Sequence, residues 1–340
     1  TRLAMLRSWA TVTVLASRRA FGAGRAGRLR AFCRARGFDL CYLPGLRADE
    51  ANRFHVLPDA DYFRGARALL GPGRDAFLQA YLFTVAATTD DRPFFHHFFR
   101  WKGLSVLQER LGGRSRAFLE LGYLLLLAAL VQAVALAALL IVLPLAPGIR
   151  RLRAAGGKAA AFAVFLALGI GFMLLEVGFL QKLILYLADP VYAAAVAIAS
   201  FLVFSGAGSY ATRRLDAGRP QIPALLALLA AGLGLAYCGL LDPWLALTRG
   251  HSLAVRMVVA GLTLGPLAFV LGTLFPLLLR RVAAAEPRLV PWAWAVNGFG
   301  SVTAATAAPV LAMAMGFSRV LLVAVACYGL VAFFGRRLPG

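Results

Sequence analysis

Apolar residues follow two different patterns along the chain. Beyond residue 118, long apolar runs alternate with short polar breaks, at approximately 118–146, 159–188, 191–210, 222–241, 252–279, 292–316 and 318–334. A helix needs about 20 predominantly apolar residues to cross a bilayer, so each run predicts a transmembrane span. Before residue 118 the runs are shorter. Residues 10–16 (ATVTVLA) read as a buried strand, 27–36 (GRLRAFCRAR) as a helix and 38–43 (FDLCYL) as a second strand stopped by Pro44-Gly45. Strand, helix, strand is the unit of a parallel α/β sheet, and this sheet is incomplete without residues ahead of Thr1. Two further helices are expected at 61–70 and 74–83, broken by Gly71-Pro72-Gly73.

Composition sharpens the division. Apolar residues make up 61% of the 340 positions, well above a soluble globule, so the chain reads as an integral membrane protein. Residues 1–117 hold 20 Lys+Arg and 9 Asp+Glu, and the remaining 223 residues hold 16 and 6. The net charge of +21 fits arginines gathered at helix ends and in loops, facing anionic lipid, so the expected partner is a lipid bilayer and no nucleic acid. Arg150, Arg151, Arg153 and Lys158, then Arg213, Arg214 and Arg219, then Arg280, Arg281 and Arg288 follow the first, third and fifth spans. With Arg336-Arg337 they mark the cytoplasmic side, and the other connections are nearly bare. An odd number of spans then leaves the polar segment outside, whereas Arg110, Arg114 and Arg116 favour it inside, and the sequence leaves both open. Cys33, Cys41, Cys238 and Cys327 have no metal-ligand spacing and read as small buried residues.

Candidate chemistry is sparse. Glu176 is the one carboxylate after residue 117 lying well inside an apolar run, which makes it a functional-site candidate with a substrate or a proton as its target. Gln181 and Lys182 on the same span sit near the membrane surface. Arg256 and Asn297 are further candidates for substrate or proton binding, but Arg256 lies at a different depth from Glu176, which is therefore expected to be neutral or hydrogen-bonded to hydroxyls or an Asn of another helix. Asn297 opens a small-residue run with Ser301, Thr303 and Thr306, which reads as tight helix packing or as a polar pathway. Pro266 and Pro276 are expected to kink the fifth span. Ser205-Gly206-Ala207-Gly208, leading to Arg213, Asp216 and Arg219, is similar to the short loop motif of major facilitator transporters, in which Asp and Arg bridge neighbouring helix ends. A plain glycine-permitted helix end fits it equally. The GxGxxG at Gly22–Gly27 lies five residues past its strand with no acid at the right distance, and reads as a loop. In TTDDRPFFHHFFRWK, Asp90, Asp91 and Arg92 suit a local ion pair and turn cap. The aromatic, basic run after them suits a membrane interface better than a metal site at His96 and His97.

The order RSWATVTVLASR, LRAFCRARGFDLCYLPG, NRF, TDDRPFF and GFMLLEVGFLQK resembles the C-terminal part of bacterial fused major facilitator and spermidine synthase-like integral membrane proteins. The resemblance implies residues 1–102 as the end of a spermidine synthase-like, Rossmann-type α/β domain, 103–117 as a juxtamembrane linker and 118–340 as an all-α polytopic bundle. It implies a multi-pass protein of the bacterial inner membrane. It also implies a membrane-anchored aminopropyl or S-adenosylmethionine-dependent transferase, with S-adenosylmethionine or its decarboxylated form as cofactor. The cofactor loop and catalytic Asp would fall before Thr1, so the chain is expected to be a piece of a longer protein, inactive alone, and no catalytic residue carries over. The alternatives are a major facilitator-like transporter or binding module for a small, polyamine-like cation, and a non-catalytic membrane scaffold.

Overall fold

A computed structural model describes residues 2–111, 120–148 and 156–338; Arg114, Arg116, Arg150, Arg151, Arg153 and the stretch 112–117 of the expected linker lie outside the described residues. The chain divides into two compact units, Thr1–Ala87 with Phe98–Leu119 and Thr88–His97 with Glu120–Gly340.

The first unit is built on a three-stranded sheet in the order β2-β1-β3, from β1 (Leu3–Arg7), β2 (Val12–Ala16) and β3 (Asp39–Tyr42). Both pairings are antiparallel, which corrects the expected parallel sheet. The reason is a strand hidden in Leu3–Arg7, whose LAMLR has no β-branched residue to announce it. A tight turn, in which Ser8 N donates to Thr11 O at 2.9 Å, folds β2 back onto β1. Helix α1 (Ala23–Arg36) then crosses over so that β3 takes the other edge of β1. β2 and β3 run in the same direction with β1 inserted between them, and β2 is an exposed edge strand rather than a buried one. The GxGxxG is not a loop: residues 23–27 form the opening of α1, and a Cβ on Gly22, Gly24 or Gly27 would meet nothing. Helices α2 (Asp61–Leu70) and α3 (Arg74–Ala80) follow, and Leu6, Leu40, Leu43, Cys33 and Phe63 form the core. Burial pushes the Cys41 thiol up to about 11, that of an inert core residue.

Asp39 is the polar centre of this unit. Its Oδ1 accepts the amides of Arg53 (2.6 Å) and Phe54 (2.8 Å), and its Oδ2 accepts the His55 amide (2.8 Å) and Arg7 Nη2 (3.2 Å). Arg7 also donates to the His55 carbonyl and to Asn52 Oδ1, at 3.3 Å. Asn52 takes a left-handed backbone, φ 59°, and closes the loop by exchanging hydrogen bonds with Leu57. The sequence placed Asp39 at the start of a strand; its work is to hold residues 52–57 against the sheet.

In the second unit the described residues hold seven helices long and apolar enough to cross a membrane. α5 (Leu121–Ala137) continues through a π-turn and a 3-10 turn to Gly148. Then come α6 (Lys158–Leu187), α7 (Pro190–Ala211), α8 (Gln221–Ala246), α9 (Leu253–Ala285), α10 (Val290–Met315) and α11 (Phe317–Gly335). These match the expected spans to within a few residues, because a run of that length has no other apolar solution. α4 (Leu104–Leu111) precedes them in the first unit.

Between apolar helices in lipid there is no hydrophobic drive, so contact rests on small residues that let backbones approach. Gly208 of α7 is buried against the Phe269 backbone of α9, and Gly272 of α9 faces the Ser205 backbone. Gly169 of α6 faces the Asn297 backbone of α10, and Gly171 packs against the Tyr328 ring of α11. α9 runs as one helix through Pro266 and Pro276. At the end of α7, Arg280 Nη2 donates to Thr212 O (2.6 Å) and Leu215 O (3.1 Å). Asp216 instead pairs locally with Arg219 at 3.3 Å, so the bridge between helix ends is an arginine on carbonyls and not the Asp of the expected loop motif.

Candidate functional site

The helices run alternately, so the turn after α6, the α8–α9 connection and the α10–α11 turn share one end of the bundle, opposite the arginine-rich connections. The TDDRPFF segment belongs to that end. Phe317 N donates to Asp91 O (3.0 Å), Ser318 N to Asp91 Oδ1 (2.7 Å), and Arg92 Nη2 to Met313 O (2.7 Å). Asp91 is thus the N-terminal cap of α11, satisfying amides that have no partner inside the helix. Gly316, at φ 90°, lies so close to Asp91 that a Cβ there would collide with its carboxylate. The Phe94 ring packs against that of Phe317, tilted by 36°, with 5.7 Å between their centres. The expected Asp-Arg ion pair is absent from the described residues; both side chains face the α10–α11 turn.

Against this anchored segment lies a cavity of about 580 Å³, lined among others by Asp90, Asp91, Lys182, Asp242 and Arg249. Lys182 is only 10% exposed and donates to Asp242 Oδ2 at 2.7 Å, so it is an inward-facing cavity residue rather than the surface group expected. Tyr186, buried, has its hydroxyl 2.6 Å from Thr248 Oγ1, which donates onward to Leu245 O at 3.1 Å. That order makes Tyr186 the donor. Arg256 Nη1 donates to Tyr186 O at 2.8 Å, capping the carbonyl end of α6, where a cation meets the negative end of the helix dipole. The Arg256 guanidinium also sits 5.8 Å from the Tyr186 ring centre.

The remaining candidates separate from this cavity. Asn297 donates from Nδ2 to Phe165 O at 3.1 Å, fastening α10 to α6, and it lines a second cavity in the arginine-rich half of the bundle. Glu176 lines neither cavity and makes no hydrogen bond or ion pair among the described residues; the expected bond to an Asn or hydroxyl of another helix is not formed. Trp292 is buried against Phe162, and Trp294 is exposed. His97 turns its Nδ1 to Glu120, 3.0 Å away, at the start of the first span, while His96 lies against Phe95. No group of three or more His, Cys, Asp or Glu among the described residues is placed to hold a metal ion.

The site therefore combines three carboxylates, an internal lysine and an arginine at one end of a multi-pass helical membrane protein. No protein-family model, no curated protein and no solved structure matches the chain.

Proposed function

We propose that this protein binds a small organic cation with several amine donors, of the polyamine kind, in the cavity between the TDDRPFF segment and the ends of α6, α8 and α11. One observation carries the reading. Asp90, Asp91 and Asp242 line a single cavity, Lys182 is already committed to Asp242, and Arg249 is the one further cation in the lining. The lining carries a net negative charge in a chain whose overall charge is +21, which concentrates cations where the rest of the surface repels them. Spaced carboxylates with a fixed lysine among them favour a ligand whose ammonium groups are themselves spaced and reach Asp90, Asp91 and the remaining oxygen of Asp242.

By the positive-inside rule the arginine-rich end faces the cytoplasm, in a bacterial inner membrane, and the cavity opens on the opposite side. The seven helices would then form a major facilitator-like transport or binding module.

Equilibrium dialysis of radiolabelled spermidine against the full chain in nanodiscs tests the proposal. Wild type is expected to bind one equivalent saturably. Asp90→Asn should weaken binding about tenfold, the equivalent of about 1.4 kcal/mol for one lost charge-assisted contact. An unchanged affinity in that variant, or no binding by wild type, overturns it. Because Glu176 lines neither cavity, Glu176→Gln should leave spermidine affinity within about twofold of wild type, well under the 1.4 kcal/mol of a tenfold change. A large loss in Glu176→Gln would move the cation site into the span.

A further inference from the structure

The second cavity, about 530 Å³, lies where α6, α7, α9, α10 and α11 converge. Its origin is the set of close approaches described above. Gly169 draws α6 onto α10, and Gly208 with Gly272 draws α7 onto α9, so the backbones touch at those points and leave a space between the pairs. The walls are aromatic and hydroxylic. Phe172, Phe275 and Tyr328 supply rings, Asn297, Ser301 and Ser209 supply polar edges, and no charged residue takes part in the lining.

Two independent features of these walls call for a polar partner. Tyr328 is 1% exposed, and its hydroxyl has no hydrogen bond among the described residues even though the residue lines the cavity. The side chain is otherwise enclosed, so a polar group entering the cavity is what completes this hydroxyl. Pro276, also in the lining, has no N–H and so cannot donate to the carbonyl four residues before it, that of Gly272, which is in the lining as well. Asn297 adds an acceptor, since its Nδ2 is spent on Phe165 O.

We infer that this cavity is a binding site for an uncharged, hydroxyl-bearing aromatic or alicyclic small molecule. Its ring body packs against Phe172 and Phe275, and its hydroxyl donates to a carbonyl and accepts from the Tyr328 hydroxyl. A charged ligand is disfavoured because the lining offers no counter-ion, and desolvating an unpaired ion costs far more than one hydrogen bond returns. The nearest carboxylate along α6 is Glu176. At about 3.6 residues per turn it falls on the same face as Gly169, Phe172 and Met173, one turn beyond the cavity toward the middle of the bundle. The site is distinct from the cation site: the two cavities share no lining residue and occupy opposite faces of α6.

The probe is 2-naphthol, titrated into the full chain in nanodiscs and read by its own fluorescence, with empty nanodiscs of the same lipid as the reference for partitioning. One saturable site in excess of the reference is expected. Tyr328→Phe should weaken it about tenfold, and naphthalene, which has the ring body without the hydroxyl, should bind more weakly than 2-naphthol. Ser209→Phe, at an exposed position of the lining, fills the space from the α7 side and should abolish binding. It carries the test if Tyr328→Phe fails to fold. Uptake equal to that of empty nanodiscs overturns the proposal, as does wild-type affinity in both variants. Tighter binding of 1-naphthylmethylammonium than of 2-naphthol overturns the uncharged class.

Discussion

Gly208→Leu is expected to eliminate the folded membrane unit, giving aggregate in place of a monodisperse peak on size-exclusion chromatography in mild detergent. Gly208 is buried where α7 crosses α9, and the first atom of any side chain there would enter the Phe269 carbonyl. Backbone cannot rotate aside as a side chain can, so the two helices would have to separate along their contact. Gly272, facing the Ser205 backbone one turn of α9 further on, would lose its packing with it. Overpacking a well-fitted core costs about 1–3 kcal/mol when side chains absorb it, and more when a helix pair must part. Gly239→Leu is the control, because a Cβ there meets nothing and the residue is exposed. Equal chromatographic behaviour of the two variants would show that the α7–α9 contact does not hold the bundle together.

Asp39→Ala should unfold the first unit by a comparable margin. The change strands Arg7, which is 6% exposed, and leaves the amides of Arg53, Phe54 and His55 without acceptors. Breaking a buried ion pair by removing one partner costs about 3–5 kcal/mol. The milder Asp39→Asn isolates the charge. Burial alone would raise the Asp39 carboxyl, but the amides of Phe54, His55 and Arg53 together with Arg7 outweigh it and hold it below the ordinary carboxylate value. A carboxyl depressed in the folded state stabilises most above its unfolded value, about 3.9, and that stabilisation drains away as pH falls through the folded value. The gap in thermal stability between wild type and Asp39→Asn, monitored by hydrogen exchange at residues 53–55, should therefore be largest near neutrality and shrink below about pH 4. A gap that stays constant to pH 3 would mean that Asp39 acts through shape and not charge.

The membrane spans were legible because length and apolarity are local properties. Each of the seven runs could be bounded to a few residues from its own letters, and the helix ends follow. What escaped the sequence is what depends on distant partners. Lys182 read as a surface residue because Asp242, its partner, is 60 positions away on another helix. Arg256 was weighed against carboxylates, whereas its actual partner is a backbone carbonyl, which every residue carries and no pattern flags. Asp90, Asp91 and Arg92 read as a local ion pair and turn cap; a cap on α11 requires knowing that a turn 227 residues later comes to rest beside Asp91. The missed strand at Leu3–Arg7 has a different cause. Its sequence suits a helix as well as a strand, and only the hairpin with β2 decides between them.

The bond from Ser318 N to Asp91 has a bearing on how the molecule is made. Asp91 leaves the ribosome ahead of α5, and Ser318 belongs to α11. The six spans α5–α10 must be inserted before the two can meet, so the segment ahead of α5 waits for the hairpin that fixes it. Contacts of such sequence separation form late and slowly. Until then Phe94 lacks the Phe317 ring it packs against, and the Lys182–Asp242 pair forms within a cavity still lacking one wall. Closure of that wall is the step at which α5–α11 are brought together, and a chain cut short before α11 would be released with that cavity open and its aromatic strap free to aggregate.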